Sequence, residues 1–251
     1  MSWTRWILSG FLSASGPAIA AVVVVYVSGD DLRAWARGIV AWRVHPKWYA
    51  AAIGIPATIA LGSGIAGHLA GGPVDFGTFS PALLTLAFGI VLATFIGGGQ
   101  EEIGWRGFAQ PELQRRYGAT LAALGVGIIW GVWHLPLFFD PLAPHSQWPL
   151  VSQAAYFFGI TGFSVLLAWV YNGSGGSILL AMIMHGSKNA TGGALVPLDT
   201  DVVIVDGAPD YGALVSVNVS TAAITVALAL LVVAVVGTDL LARRNNSSTA
   251  V

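Results

Sequence analysis

Residues 80–98, SPALLTLAFGIVLATFIGG, run for nineteen positions without one ionisable side chain. In lipid no water is available to the backbone, so every N–H and C=O must be satisfied internally, and a helix does this. At 1.5 Å per residue, about 20 apolar residues cross a hydrocarbon layer of about 30 Å. Comparable runs recur along the chain. Seven candidate spans are read at roughly 7–28, 48–70, 81–100, 118–139, 150–171, 177–197 and 212–241. They leave no room for a soluble domain and show no internal repeat. Composition agrees: 55% of residues are hydrophobic and 9% are charged, against about 25% charged in soluble domains. The fold class expected is all-α, a polytopic membrane helix bundle of about seven to eight transmembrane helices. Residues 1–251 then form a single integral membrane domain.

Orientation follows from Lys and Arg in short loops. Arg33, Arg37, Arg43 and Lys47 follow the first span; Arg106, Arg115 and Arg116 follow the third; Arg243 and Arg244 follow the last. With seven spans and an outside N-terminus, all of these fall on the cytoplasmic side, and Arg5 is the exception. The loop LDTDVVIVDGAPD carries four Asp and neither Lys nor Arg, and it falls outside. A short interfacial helix around 31–43 suits the cytoplasmic surface, with Trp35 and Trp42 among arginines. The apolar run from Ile7 to Val27 is long enough to span, and no small-residue cleavage site follows it. The tail RRNNSSTAV is polar. High Ala, Gly, Val and Trp content points to a GC-rich bacterial source, hence to a bacterial plasma membrane.

Several function classes drop out early. The net charge of −1 gives no nucleic-acid surface. The absence of cysteine removes disulfides, thiolate metal sites and a cysteine nucleophile. No H-E-x-x-H occurs, and GSGGS at 173–177 lacks the pattern of a rhomboid-type serine nucleophile.

The ionisable residues inside spans are few. A central charge costs roughly 3 kcal/mol on insertion scales, so such groups face the bundle interior and pair there. They are Glu101, Glu102 and Arg106, then His134, then His185 with Lys188 and Asn189. Helical spacing organises them. Glu102 and Arg106 are i, i+4 and can form an ion pair. Glu101 is turned about 100° from Glu102 and can point elsewhere. Trp130 and His134 share a face, as do His185 and Asn189. A carboxylate with two histidines can activate water by holding a metal, or by acting directly as a general base beside an oxyanion site. Blander readings stand beside this one. Adjacent glutamates often mark a wet span end, an Arg near the cytoplasm anchors topology, Asn189 can bond a neighbouring helix, and His68 is read as a packing residue.

These residues form three ordered motifs. EEIGWRGFAQPELQRRYG closely resembles the first motif of the CPBP intramembrane proteases, which include CAAX-processing and bacteriocin-processing (Abi) enzymes. It matches at Glu101, Glu102 and Arg106, with Trp105 and Gly107, then Pro111, Leu113, Arg116, Tyr117 and Gly118. The family's Phe-x-x-x-His is WGVWH here, with Trp130 in the aromatic position and His134 retained. Its His-x-x-x-Asn is HGSKN, at His185 and Asn189. The resemblance covers a core of about 81–197. It implies hydrolysis of a peptide bond near the C-terminus of a membrane-associated peptide or protein, lipid-anchored substrates among them. By position, Glu101 activates water and His134 assists. His185 and Asn189 bind the oxyanion or a metal, and Glu102 with Arg106 supports the geometry. The cofactor implied is Zn2+ on Glu101, His134 and His185, or none, since a metal-independent glutamate mechanism is argued for relatives. The competing class is a non-catalytic membrane scaffold or immunity protein, or a small-molecule transporter, with Lys188 neutralising Glu101.

The resemblance conflicts with the spans as drawn. Glu101 sits at a cytoplasmic span end, while His134 lies sixteen residues into the next span, about 24 Å deep. The repair is a long bent helix over about 82–115 that keeps Glu101 in the membrane, with the fourth span moved to about 120–142. The glycines at 97–99 permit the bend or close packing. A polar cavity opening toward the cytoplasm is expected.

Overall fold

A computed structural model describes residues 14–205 and 207–241. The start of the first expected span, Arg5, Asp206, Arg243 and Arg244 lie outside these residues.

The architecture is the expected helix bundle, and the protein is an integral membrane protein. Among the described residues five helical segments are long and apolar enough to cross a bilayer. Helix α1 covers Gly16–Val27, and α2, Leu32–Ala36, is a short surface turn capped by the Asp31 carboxylate. Helix α3, Pro46–Leu69, starts with proline at its first position, where the missing N–H costs nothing. His68, near its other end, bonds the Val74 carbonyl at 2.8 Å, the packing role expected of it. Helix α4 is Leu83–Phe95, and α5, Gln110–Tyr117, ends the same 35-residue span. Helix α6, Ala119–Trp133, continues into α7, Leu135–Phe139. Helix α8 is Leu150–Gly173 and α9 is Ile178–Leu195. The polar motif residues of α9 lower its hydropathy, which is why it falls outside the five. After the short α10, Thr200–Val203, a two-residue antiparallel pairing of β1, Ile204–Val205, with β2, Ala208–Pro209, leads to α11, Val215–Val236.

The third span bears out the long helix and corrects the first boundary, whereas the fourth, Ala119–Phe139, keeps the bounds first drawn and does not move to 120–142. It does not end at residue 100 but runs to Tyr117. It is broken rather than smoothly bent. Regular helix stops at Phe95, Gly98 takes a φ of +113°, and a 3-10 turn over Gly99–Glu101 restarts the helix at Glu102. A π-helical turn follows over Trp105–Ala109, closed by the Gln110 N–H on the Trp105 carbonyl. Such wide turns concentrate at functional sites.

Helices α3, α6, α8, α9 and α11 build the core, with Leu166, Leu167, Leu180, Met184, Ile59 and Val126 fully buried. The α6–α8 approach is close because Gly127 has no side chain: a Cβ there would sit 2.8 Å from the Thr161 Cα.

The bundle has two unlike ends. One gathers residues 28–45, Gly118 and the turn at 174–177, with Arg33, Arg37, Arg43, Lys47, Arg115 and Arg116. The other gathers the loops at 70–82, 140–149 and 196–214. Its described residues include Asp75, Asp140, Asp199, Asp201 and Asp210 and no Lys or Arg.

Candidate active site

The restart of the broken helix sets the site. With Glu101 and Glu102 at the head of a new helical turn, their partners at i+4 are Trp105 and Arg106, and both pairs close. Trp105 Nε1 donates to Glu101 Oε2 at 3.3 Å, and Arg106 Nη1 donates to Glu102 Oε2 at 2.8 Å.

The Glu102–Arg106 pair has no exposed surface at all. A buried ion pair survives only when further hydrogen bonds satisfy its remaining groups. Here Arg106 Nη2 donates to the Ser164 carbonyl at 3.0 Å and to Ser164 Oγ at 2.6 Å, and Ser164 Oγ in turn donates to the Ala123 carbonyl at 2.7 Å. The guanidinium also lies 5.6 Å from the Trp130 ring centroid. Glu102 Oε1 accepts from His185 Nδ1 at 2.8 Å. This single carboxylate therefore ties α5's end of the span to α9 and, through Arg106, to α6 and α8.

Glu101 faces a different set of groups. Its Oε2 accepts from Trp130 Nε1 at 2.7 Å as well as from Trp105. Its Oε1 has no protein partner among the described residues. The carboxylate is thus clamped by one oxygen and free at the other.

Both histidine rings rest on the same indole. Trp130 lies 5.0 Å from His185 and 6.0 Å from His134, centroid to centroid, edge to face. His134 caps α6, and its Nδ1 bonds the Trp130 carbonyl at 2.9 Å. A carbonyl only accepts, so Nδ1 carries the proton and Nε2 keeps its lone pair in the neutral ring. His185 likewise spends Nδ1 on Glu102 and leaves Nε2 free. That nitrogen faces Gly98: a Cβ built there would stand 2.9 Å from His185 Nε2 and 2.7 Å from Asn189 Nδ2. Asn189 Nδ2 donates to the Gly97 carbonyl at 2.8 Å. The positive φ of Gly98 and its missing side chain thus keep open the space between these two groups.

Trp130 touches Glu101, His134 and His185, with Asn189 beside His185 at Gly98, and Glu102 with Arg106 packs against the same indole and His185. Lys188 makes no ion pair with Glu101 among the described residues. No three His, Asp or Glu side chains among the described residues are grouped to hold one ion. Glu101, His134 and His185 all contact Trp130 without forming such a set.

Residues 80–191 match the family model described as type II CAAX prenyl endopeptidase Rce1-like. They span all three motifs and the whole constellation above. This stretch is similar to that family. A curated relative, CAAX prenyl protease 2 of Methanococcus maripaludis, is 32% identical over 119 residues. That match covers 45% of this chain and 40% of the relative, so the chain spans well under two thirds of the protein it resembles.

Within residues 80–191, four contributors carry no signal of their site role in the sequence. Trp130 was seen as an aromatic replacing the motif's Phe, but its indole N–H on Glu101 was not. Trp105 carried the same hidden role. Ser164 lies 58 residues from Arg106 and has no motif of its own. Tyr156, whose ring is 5.6 Å from His134, is likewise a partner across helices that spacing does not reveal.

Proposed function

We propose that this chain is an intramembrane endopeptidase that hydrolyses a peptide bond in a membrane-associated peptide or protein, lipid-anchored ones among them. The observation that carries the reading is the Glu101 carboxylate, held at Oε2 by two indole donors, one of which, Trp130, also packs against the rings of His134 and His185. Glu101 is the general base: Oε1 takes a proton as the water oxygen bonds to the scissile carbonyl carbon. His134 Nε2, an acceptor in the neutral ring, orients that water. With a proton on each ring nitrogen, His185 would keep Nδ1–H on Glu102 and offer Nε2–H to the oxyanion, and the second amide proton of Asn189 adds a donor. Collapse of the tetrahedral species breaks the C–N bond, and the proton held by Glu101 passes to the departing amine. Removing a single oxyanion donor typically costs about 100- to 1000-fold in rate.

The test uses purified protein, a peptide library, and Glu101→Ala beside the wild type. Cleavage is expected from the wild type and none from the variant, with both proteins folded. Equal turnover by the variant refutes the assignment. Elemental analysis for zinc runs in parallel. Bound zinc whose removal by a chelator stops cleavage would replace the direct-base form of the mechanism.

A further inference from the structure

The charged groups at the basic end of the bundle are not equivalent. Arg115 is paired with Glu112, and the Asp31 carboxylate is spent on the first backbone N–H groups of α2. Arg43 and Lys47 make no ion pair among the described residues. Each stands over a neighbouring indole instead. The Arg43 guanidinium is 5.0 Å from the Trp42 ring centroid, and the Lys47 ammonium is 5.1 Å from that of Trp48. Both line one cavity of about 320 Å3, between the start of α3 and the turn that ends α8. Small-ligand sites run from about 300 to 1,000 Å3, so this one suits a compact group. No Asp or Glu lines it among the described residues.

Two neutral groups on the same wall add donors. His45 Nδ1 accepts the Lys47 backbone N–H at 3.2 Å, so in the neutral ring the proton sits on Nε2. Asn172 Nδ2 gives one proton to Gln114 Oε1 at 3.1 Å and keeps a second. The walls are held by packing within the protein. Trp48 is 5% exposed and meets Trp169 edge to face at 5.1 Å. Its ring fills the place of the side chain that Gly173 lacks, where a Cβ would overlap it. The start of α3 is thereby locked against the end of α8. Asn172 is held from the other side, since its Oδ1 also accepts from Gln114 Nε2 at 3.2 Å.

Unpaired cations and spare N–H donors around a small preformed cavity, with no carboxylate among them, suit an anion that carries several oxygens. Arginine brings a fork of donors and lysine a point charge, and both meet phosphate oxygens well. Tryptophans beside Arg and Lys mark a membrane interface, and basic pockets between transmembrane helices take anionic headgroups there. We infer that this cavity binds a phosphate group, carried either by an anionic lipid or by a soluble phosphate compound. The inference is independent of the peptidase reading, and its measurement needs no turnover.

Full-length protein in neutral detergent is titrated with fluorescent phosphatidylglycerol, with fluorescent phosphatidylcholine as the zwitterionic control, and each titration is repeated with inorganic phosphate as competitor. The wild type should bind the anionic lipid at least about tenfold more tightly than the zwitterionic one. Arg43→Gln combined with Lys47→Gln should remove that preference. Ser174→Glu keeps both cations but puts a carboxylate on the cavity wall, and it should weaken binding by about tenfold. Arg33→Gln combined with Arg37→Gln removes the same charge from the same end but away from the cavity, and it should change the affinity by less than about threefold. Thermal unfolding of each protein shows that it is folded. Lipid that inorganic phosphate does not displace supports the headgroup as the source. If the two lipids bind alike, but inorganic phosphate raises the unfolding temperature of the wild type and not of the Arg43→Gln, Lys47→Gln protein, the source is a soluble phosphate. Equal loss of lipid binding in the two double variants is the result of diffuse surface charge and overturns the proposal. So does a wild type that binds both lipids alike and does not respond to inorganic phosphate.

Discussion

Trp130→Phe separates the clamp on Glu101 from the packing around it. Phenylalanine keeps an aromatic ring against His185 and His134, now 5.0 and 6.0 Å from the indole, and it is the residue the family motif carries there. What disappears is the 2.7 Å N–H bond to Glu101 Oε2. A hydrogen bond to a charged group is worth about 1.5–3 kcal/mol. At 1.36 kcal/mol per tenfold in rate, its full loss is about 10- to 150-fold. Trp105 Nε1 remains on the same oxygen, but at 3.3 Å it is the weaker donor. The expected fall in kcat is therefore about 10- to 50-fold, with KM little changed, because the clamp acts on the base rather than on bound peptide. The assay is steady-state cleavage of a fluorogenic peptide in detergent micelles, with thermal unfolding of the same preparation as the control for folding. Trp105→Phe should cost less than Trp130→Phe. An unchanged kcat in a folded Trp130→Phe protein refutes the reasoning, since Glu101 would then need no fixed orientation.

Two other perturbations address the supports of the site. Arg106→Ala strands the Glu102 carboxylate where nothing is exposed, and breaking one partner of a buried pair costs about 3–5 kcal/mol; a large drop in unfolding temperature is expected, and Arg106→Lys should restore little of it because a lysine cannot reach Glu102 and Ser164 in the same fork geometry. Retained stability in Arg106→Ala would mean that the pair is not a structural tie. Gly98→Ala places a methyl 2.7 Å from Asn189 Nδ2 and 2.9 Å from His185 Nε2 at a φ of +113°; it should abolish cleavage while stability falls by about 1–3 kcal/mol, and full activity in a folded variant would show that the space it fills is not the reaction space.

The amino-acid order alone settles a good deal of this protein. The uncharged runs demand helices in lipid, because only internal hydrogen bonding satisfies a backbone without water. The i, i+4 spacing pairs Glu102 with Arg106, and the three motifs name Glu101, His134, His185 and Asn189. Hydropathy could not place the break in the third span. Apolar residues on both sides of Gly98 score alike, whereas the break depends on a left-handed glycine and on what packs against it. Spacing along one helix likewise could not reveal Trp130 on Glu101 or Ser164 on Arg106, since those contacts join residues that only the tertiary fold brings level. Which neighbours enclose Glu101 follows from the register of α6, α8 and α9 against the broken helix, and that register is a property of packed side chains rather than of any one segment.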